Sequence, residues 1–112
     1  LSGHDDLVAG VLMDLARTET QPRADRLAEA LVRSIQGVGL KMHRHPIQGA
    51  GFSVLKSPDI PSLLIEVGFL SSEVDRKRLL DPVWRAGMQD AILAAVQAWA
   101  ISDAAEAALI RQ

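Results

Sequence analysis

The sequence predicts a layered α/β fold, with helices packed over a core that contains strands. Two observations carry that expectation. Apolar residues recur at helical spacing in the first and last thirds of the chain. The middle holds Ser62-Leu63-Leu64-Ile65-Glu66-Val67, an almost continuous apolar run. Such a run reads as a strand covered on both faces, as in parallel sheets between helices. The order helix, helix, two or three strands, helix, helix fits a layered sandwich. At 112 residues the chain is one domain at most, and 48% apolar against 23% charged residues supports a packed core over disorder.

The first helix is expected from about Asp6 to Arg17, where Leu7, Val11 and Leu15 share a face with Val8 and Leu12 beside them. Asp5 and Asp6 suit its cap and first turn. Thr18-Glu19-Thr20-Gln21-Pro22 reads as a break, and a second helix from about Pro22 to Gln36 carries the stripe Leu27, Leu31 and Ile35. Gly37 and Gly39 are its stop signals. Leu40 to His45 reads as an edge strand ended by Pro46. After the Gly49-Ala50-Gly51 turn, Phe52 to Leu55 reads as a short strand. A loop from Lys56 to Pro61 leads into the apolar run. Ser71 and Ser72 can cap a helix from Glu73 to Leu80, and Asp81-Pro82 opens the last helix. On that helix Trp84, Met88, Ile92, Val96 and Trp99 form a core stripe, thickened by Ala91 and Ala95.

Composition narrows the function. Twelve Lys and Arg against fourteen Asp and Glu give a formal charge of −2, so no basic surplus points to nucleic acid or an anionic membrane surface. The chain has no Cys, which removes disulfides, thiolate zinc sites and cysteine nucleophiles. Aromatics at 4% supply few stacking surfaces. The longest nearly uncharged stretch, Ala91 to Ile101, is shorter than the ~20 residues a bilayer crossing needs, so no membrane span is expected. The chain opens at Leu1 without Met or a signal-like segment, which reads as a piece of a longer protein.

Glu66 is the most informative residue. A lone carboxylate inside an apolar run costs several kcal/mol to bury unless it is paired or protonated. The C-terminal end of a buried strand is also where ligand crevices form in open α/β sheets. Gly68 just beyond it leaves room for close approach to the backbone. The structural alternative is a Glu paired with an Arg or capping a neighbouring helix. His43 and His45, at i and i+2, would share one face of a strand. With no third ligand at a characteristic spacing, they read as the polar face of an edge strand. His4, Asp14 and Glu19 read as solvated. No phosphate loop, nucleophile elbow or paired-histidine zinc-protease motif is present.

The segment from Gly51 through Ser72, GFSVLKSPDIPSLLIEVGFLSS, resembles the end of the zinc-dependent N-acetylmuramoyl-L-alanine amidases, cell-wall hydrolases of the division-associated, periplasmic type. The likeness covers roughly residues 5 to 101. It implies a twisted mixed sheet with helices on both faces, of which this chain supplies two or three strands and four helices. It implies that residues 1–20 end a regulatory insertion, 21–101 form the C-terminal half of the catalytic domain, and 102–112 form a helix extension or tail. It implies hydrolysis of the amide between the lactyl group of N-acetylmuramic acid and L-alanine. In the family one zinc is held by two His and a Glu, and a second Glu acts on the attacking water or on the transition state. Glu66 matches that second Glu. The zinc ligands are expected upstream of Leu1, and His43 and His45 do not align with them. The implied partners are peptidoglycan and an activator protein contacting the regulatory insertion. The implied location is the periplasm. The alternative is a non-catalytic fragment or degenerate amidase acting as a cell-wall or divisome interaction module.

Overall fold

A computed structural model describes residues 2–49 and 51–111, so Ala50 of the expected turn, Leu1 and Gln112 lie outside the described residues. Three α-helices make up most of it: α1 (Ser2–Gly37), α2 (Glu73–Leu80) and α3 (Pro82–Ile110), with a short 3-10 turn at Ser53–Leu55. At ~1.5 Å per residue the 36-residue α1 spans ~54 Å, which equals the longest dimension of the molecule, 54 × 38 × 22 Å. The radius of gyration of 17.5 Å exceeds the ~13 Å of a compact domain of this length.

The expected sheet is absent among the described residues. Leu40 to His45 is irregular, Ser53–Leu55 is a 3-10 turn, and Pro61 to Phe69 runs without turn, bend or ladder. The twisted mixed α/β sheet is therefore corrected to a helical arrangement. A strand exists only where a neighbour takes up its backbone N–H and C=O groups, and none of these three segments meets another in register. Most apolar side chains of the last segment stay in solvent: Leu64, Ile65, Val67 and Phe69 are exposed.

A second correction concerns the break at Thr18 to Pro22. α1 runs through Pro22 without interruption. A proline in a helix interior removes one hydrogen bond and crowds the carbonyl four residues back, at ~3 kcal/mol. Contacts with α3 just after this point offset the cost. The Trp99 indole N–H donates to the Arg23 carbonyl at 2.9 Å, and Arg23 forms a two-pronged bond to Asp103 at 2.9 and 2.8 Å. Arg26 adds an ion pair to Glu106 at 3.2 Å. Thr20 and Ala24 are buried, and they border a shallow recess shared with Leu55, Ile60 and Pro61.

α1 ends where the glycines predict. Gly39 takes φ 82°, a conformation that costs a residue without Cβ little. The Leu40 amide returns to the Ile35 carbonyl at 3.3 Å and the Gly39 amide to Gln36 at 3.0 Å. This is a Schellman closure, and Leu40 packs against the cluster that holds Ile35.

α1 and α3 lie antiparallel. Arg23 faces Trp99 and Asp103, while Ile35 packs with Met88 and Ala91. The buried apolar side chains are Ala24, Leu31, Ile35, Met88, Ala91 and Ala95. The small residues let the helices approach closely, and Ser34 Oγ donates to the Ala91 carbonyl at 2.6 Å. The seam thus centres on Met88, Ala91 and Ala95; Trp84, Ile92 and Trp99 flank it and Val96 faces outward. The N-terminal stripe of α1, Leu7, Val8, Val11, Leu12 and Leu15, is exposed. α3 continues to Ile110 and is long and apolar enough to cross a membrane by length and composition alone. The helix extends well beyond Ala91 to Ile101 on both sides, and its Met88, Ala91 and Ala95 are buried, as in a helix that packs against a core.

The Arg23–Asp103 pair gives a pH prediction. The hydrogen bond from Arg23 holds the Asp103 carboxyl below the usual carboxylate range; partial burial opposes it, and the charges of Arg23 and Arg26 reinforce it. A carboxylate with a lowered folded-state pKa stabilises above its unfolded value of ~3.9, and this stabilisation disappears as pH falls through the folded value. Because Arg23 is partly solvated, the pair contributes about 1 kcal/mol. The Tm should therefore fall as the pH is lowered from about 4, and Asp103→Asn should flatten that part of the profile. Equal acid slopes in both proteins would show that the pair does not stabilise the helix seam.

Candidate active site

Glu66 lies in the unpaired segment between Pro61 and Phe69 and is exposed. This corrects the expectation of a carboxylate inside a covered strand. The physical reason is the missing sheet: among the described residues no flanking strand covers Leu64 to Val67. Among the described residues Glu66 makes no hydrogen bond or ion pair, so neither structural alternative, an Arg partner or a helix cap, is realised. The carboxylate is free to meet a substrate or a water molecule.

The segment just after Glu66 is fixed against α2. Ser72 is the N-cap of α2, its hydroxyl accepting from the Asp75 amide at 3.2 Å. The Asp75 carboxylate in turn accepts from the Phe69 amide at 2.9 Å. The Ser72 amide closes a turn onto the Phe69 carbonyl at 3.0 Å, and Arg76 Nη1 donates to the Leu70 carbonyl at 2.6 Å. Gly68 sits close enough to α2 that a Cβ there would lie 3.2 Å from the Asp75 Cβ. That neighbour belongs to a helix and has little freedom to give way. Gly68→Ala should cost about 1 kcal/mol by overpacking and should speed hydrogen exchange at the Phe69 amide. Unchanged melting together with unchanged exchange would show the contact to be loose.

Asp81 ends α2 and begins α3, its amide donating to the Arg78 carbonyl at 3.0 Å and its carboxylate accepting from the Val83 amide at 2.9 Å. Arg85 also reaches back to the Leu79 carbonyl at 2.7 Å. Glu66 is thus two residues from a short rigid unit that continues directly into α3.

The other polar residues do not converge on Glu66. His43 and His45 are exposed, with the His45 amide donating to His43 Nδ1 at 3.0 Å and the rings 6.4 Å apart. This is a local turn and not one face of a strand. Asp14 is exposed and paired with Arg17 at 3.7 Å; His4 and Glu19 are exposed. Among the described residues no group of three or more His, Cys, Asp or Glu could hold a metal ion. The side chains present therefore do not fit a zinc centre. A groove of about 340 Å³ between α1 and α3, lined by Arg26, Arg33, Trp99 and Ser102 among others, does not include Glu66. Asp75 is the residue that sequence reasoning passed over. The signal was there: an acid three residues after a serine cap is the capping-box spacing.

Comparison with known proteins agrees with the motif. The family profile described as N-acetylmuramoyl-L-alanine amidase matches residues 2–98. The chain is 29% identical over 95 residues to N-acetylmuramoyl-L-alanine amidase AmiC of Escherichia coli, covering 85% of this chain and 22% of that protein. It is 33% identical over 88 residues to the AmiA enzyme of Salmonella typhimurium, covering 79% of this chain and 30% of that protein. The chain therefore spans between a fifth and a third of the length of these relatives. No solved structure matches it.

Proposed function

Because the chain belongs to the N-acetylmuramoyl-L-alanine amidase family, we propose that it supplies the catalytic carboxylate, Glu66, of an enzyme that cleaves the amide between the lactyl group of N-acetylmuramic acid and L-alanine in peptidoglycan. The supporting observation is that Glu66 is exposed, unpaired among the described residues, and joined to a segment anchored on α2. The reading rests on the place of Glu66 in the Ser62–Phe69 motif that resembles the family's catalytic strand.

In this reading Glu66 accepts a proton from the water that attacks the scissile carbonyl. As the C–N bond breaks, the same proton passes to the departing amine, which leaves as the free amino group of L-alanine. The muramoyl side becomes a carboxylic acid. Proton transfer by a positioned carboxylate contributes typically ~10²–10⁴ in rate. The residues described here do not form a metal centre, so a zinc requirement belongs to parts of the protein other than these.

Residues 21–101 are then the portion of the catalytic domain that bears the carboxylate, and 102–112 a helix extension or tail. Residues 1–20 are the end of a regulatory insertion. The exposed stripe of Leu7, Val8, Val11, Leu12 and Leu15 supports an activator contact there. The work is done outside the cytoplasm, in the periplasm, where peptidoglycan lies. The test is peptidoglycan turnover by the full-length protein with Glu66→Gln.

A further inference from the structure

We propose that Asp75 is a positioning residue for Glu66; this inference rests on the catalytic reading of Glu66. Asp75 is the third residue of α2, and its backbone and side chain serve different partners. The backbone N–H donates to the Ser72 hydroxyl at 3.2 Å, which completes the helix cap. One carboxylate oxygen pairs with Arg78 of the same helix at 3.6 Å, and the other accepts from the Phe69 amide at 2.9 Å. An acid at this position of a capping box ordinarily reaches the cap residue itself. Here it reaches three residues further back, to the chain that leads out of Glu66.

Three contacts converge on that stretch. Gly68 is pressed toward the Asp75 Cβ, Phe69 is hydrogen-bonded to the Asp75 carboxylate, and the Leu70 carbonyl accepts from Arg76, the residue after Asp75. Among the described residues no ladder bond fixes the backbone from Pro61 to Phe69. The anchor at 68–70 is therefore what sets the place and direction in which Glu66, two residues before Gly68, leaves the scaffold. The α2–α3 joint through Asp81 makes the anchor rigid. Misplacement of a catalytic group by ~1 Å can cost ~10²-fold in rate, so one lost anchor bond has leverage on turnover without touching substrate.

The experiment is a double-mutant cycle in the full-length protein, read as kcat and KM on peptidoglycan. Asp75→Ala should lower kcat about tenfold with KM within about twofold. Combined with Glu66→Gln it should lose no more than Glu66→Gln alone, because Asp75 acts through Glu66. Exchange at the Phe69 amide should speed up. Ser72→Ala removes the helix cap and leaves the Asp75–Phe69 bond, so it should lower Tm while keeping kcat within about twofold. Asp75→Asn keeps an acceptor oxygen and should give a kcat between wild type and Asp75→Ala; it carries the same cycle where the alanine variant does not fold. Additive losses in the double variant, or an equal kcat loss in Ser72→Ala, would overturn the proposal. Full turnover in Glu66→Gln would remove the catalytic reading and this role with it, while loss in Glu66→Gln beside full turnover in Asp75→Ala would remove this role alone.

Discussion

Glu66→Gln should lower peptidoglycan turnover by ~10²–10⁴-fold while leaving the fold intact. Glutamine keeps the shape and two polar atoms of glutamate but cannot take a proton from water, so the loss isolates the proton transfer. Stability should change by no more than about 0.5 kcal/mol, because an exposed side chain without a described partner gives up no contact. Release of soluble fragments from labelled peptidoglycan, followed beside thermal melting, separates the two effects. Turnover at the wild-type rate would remove Glu66 from the chemistry.

The largest effect on stability is expected from Ile35→Ala. Ile35 is 3% exposed and packs with Met88 and Ala91, with Leu40, Met42, Trp84 and Ile92 around them. Of the six buried apolar side chains among the described residues, three are alanines, so the large side chains at the helix seam are few. Truncating one should cost about 2–4 kcal/mol through lost transfer energy and a cavity. That is a large share of the ~5–15 kcal/mol by which domains are stable. The same change also thins the cluster against which Leu40 packs at the end of α1. Leu7→Ala, at a site 67% exposed, should cost less than about 0.5 kcal/mol. Urea unfolding of the three proteins checks the contrast, and equal midpoints for Ile35→Ala and Leu7→Ala would place the core elsewhere.

What the sequence revealed follows the range of the forces involved. Ser72, the Asp81-Pro82 pair and Gly39 act within a turn of themselves, and the helix ends fall where they indicate. Pro22 is also a local signal, yet α1 passes through it, because Trp99 and Asp103 hold that stretch from about eighty residues away. No spacing rule reaches so far. The strands failed for the same reason: the apolar run at Leu63 to Val67 has strand composition, but a strand needs a partner that local composition does not specify. Glu66 was legible as an acid in an apolar setting, whereas its exposure depended on what covers the run. Asp75 was legible only as a helix-start acid; its reach to Phe69 depends on the fold of the chain between them.

The most direct test of the central claim is the identity of the bond that is cut. Peptidoglycan digested by the full-length protein, wild type and Glu66→Gln, can be analysed by mass spectrometry for stem peptides with a free L-alanine amino group. The catalytic role of Glu66 predicts that these peptides are the main product of the wild type and are reduced at least ~10²-fold in the variant. Cleavage at glycosidic bonds or within the stem peptide, or equal release of L-alanine-terminated peptides by both proteins, would contradict it.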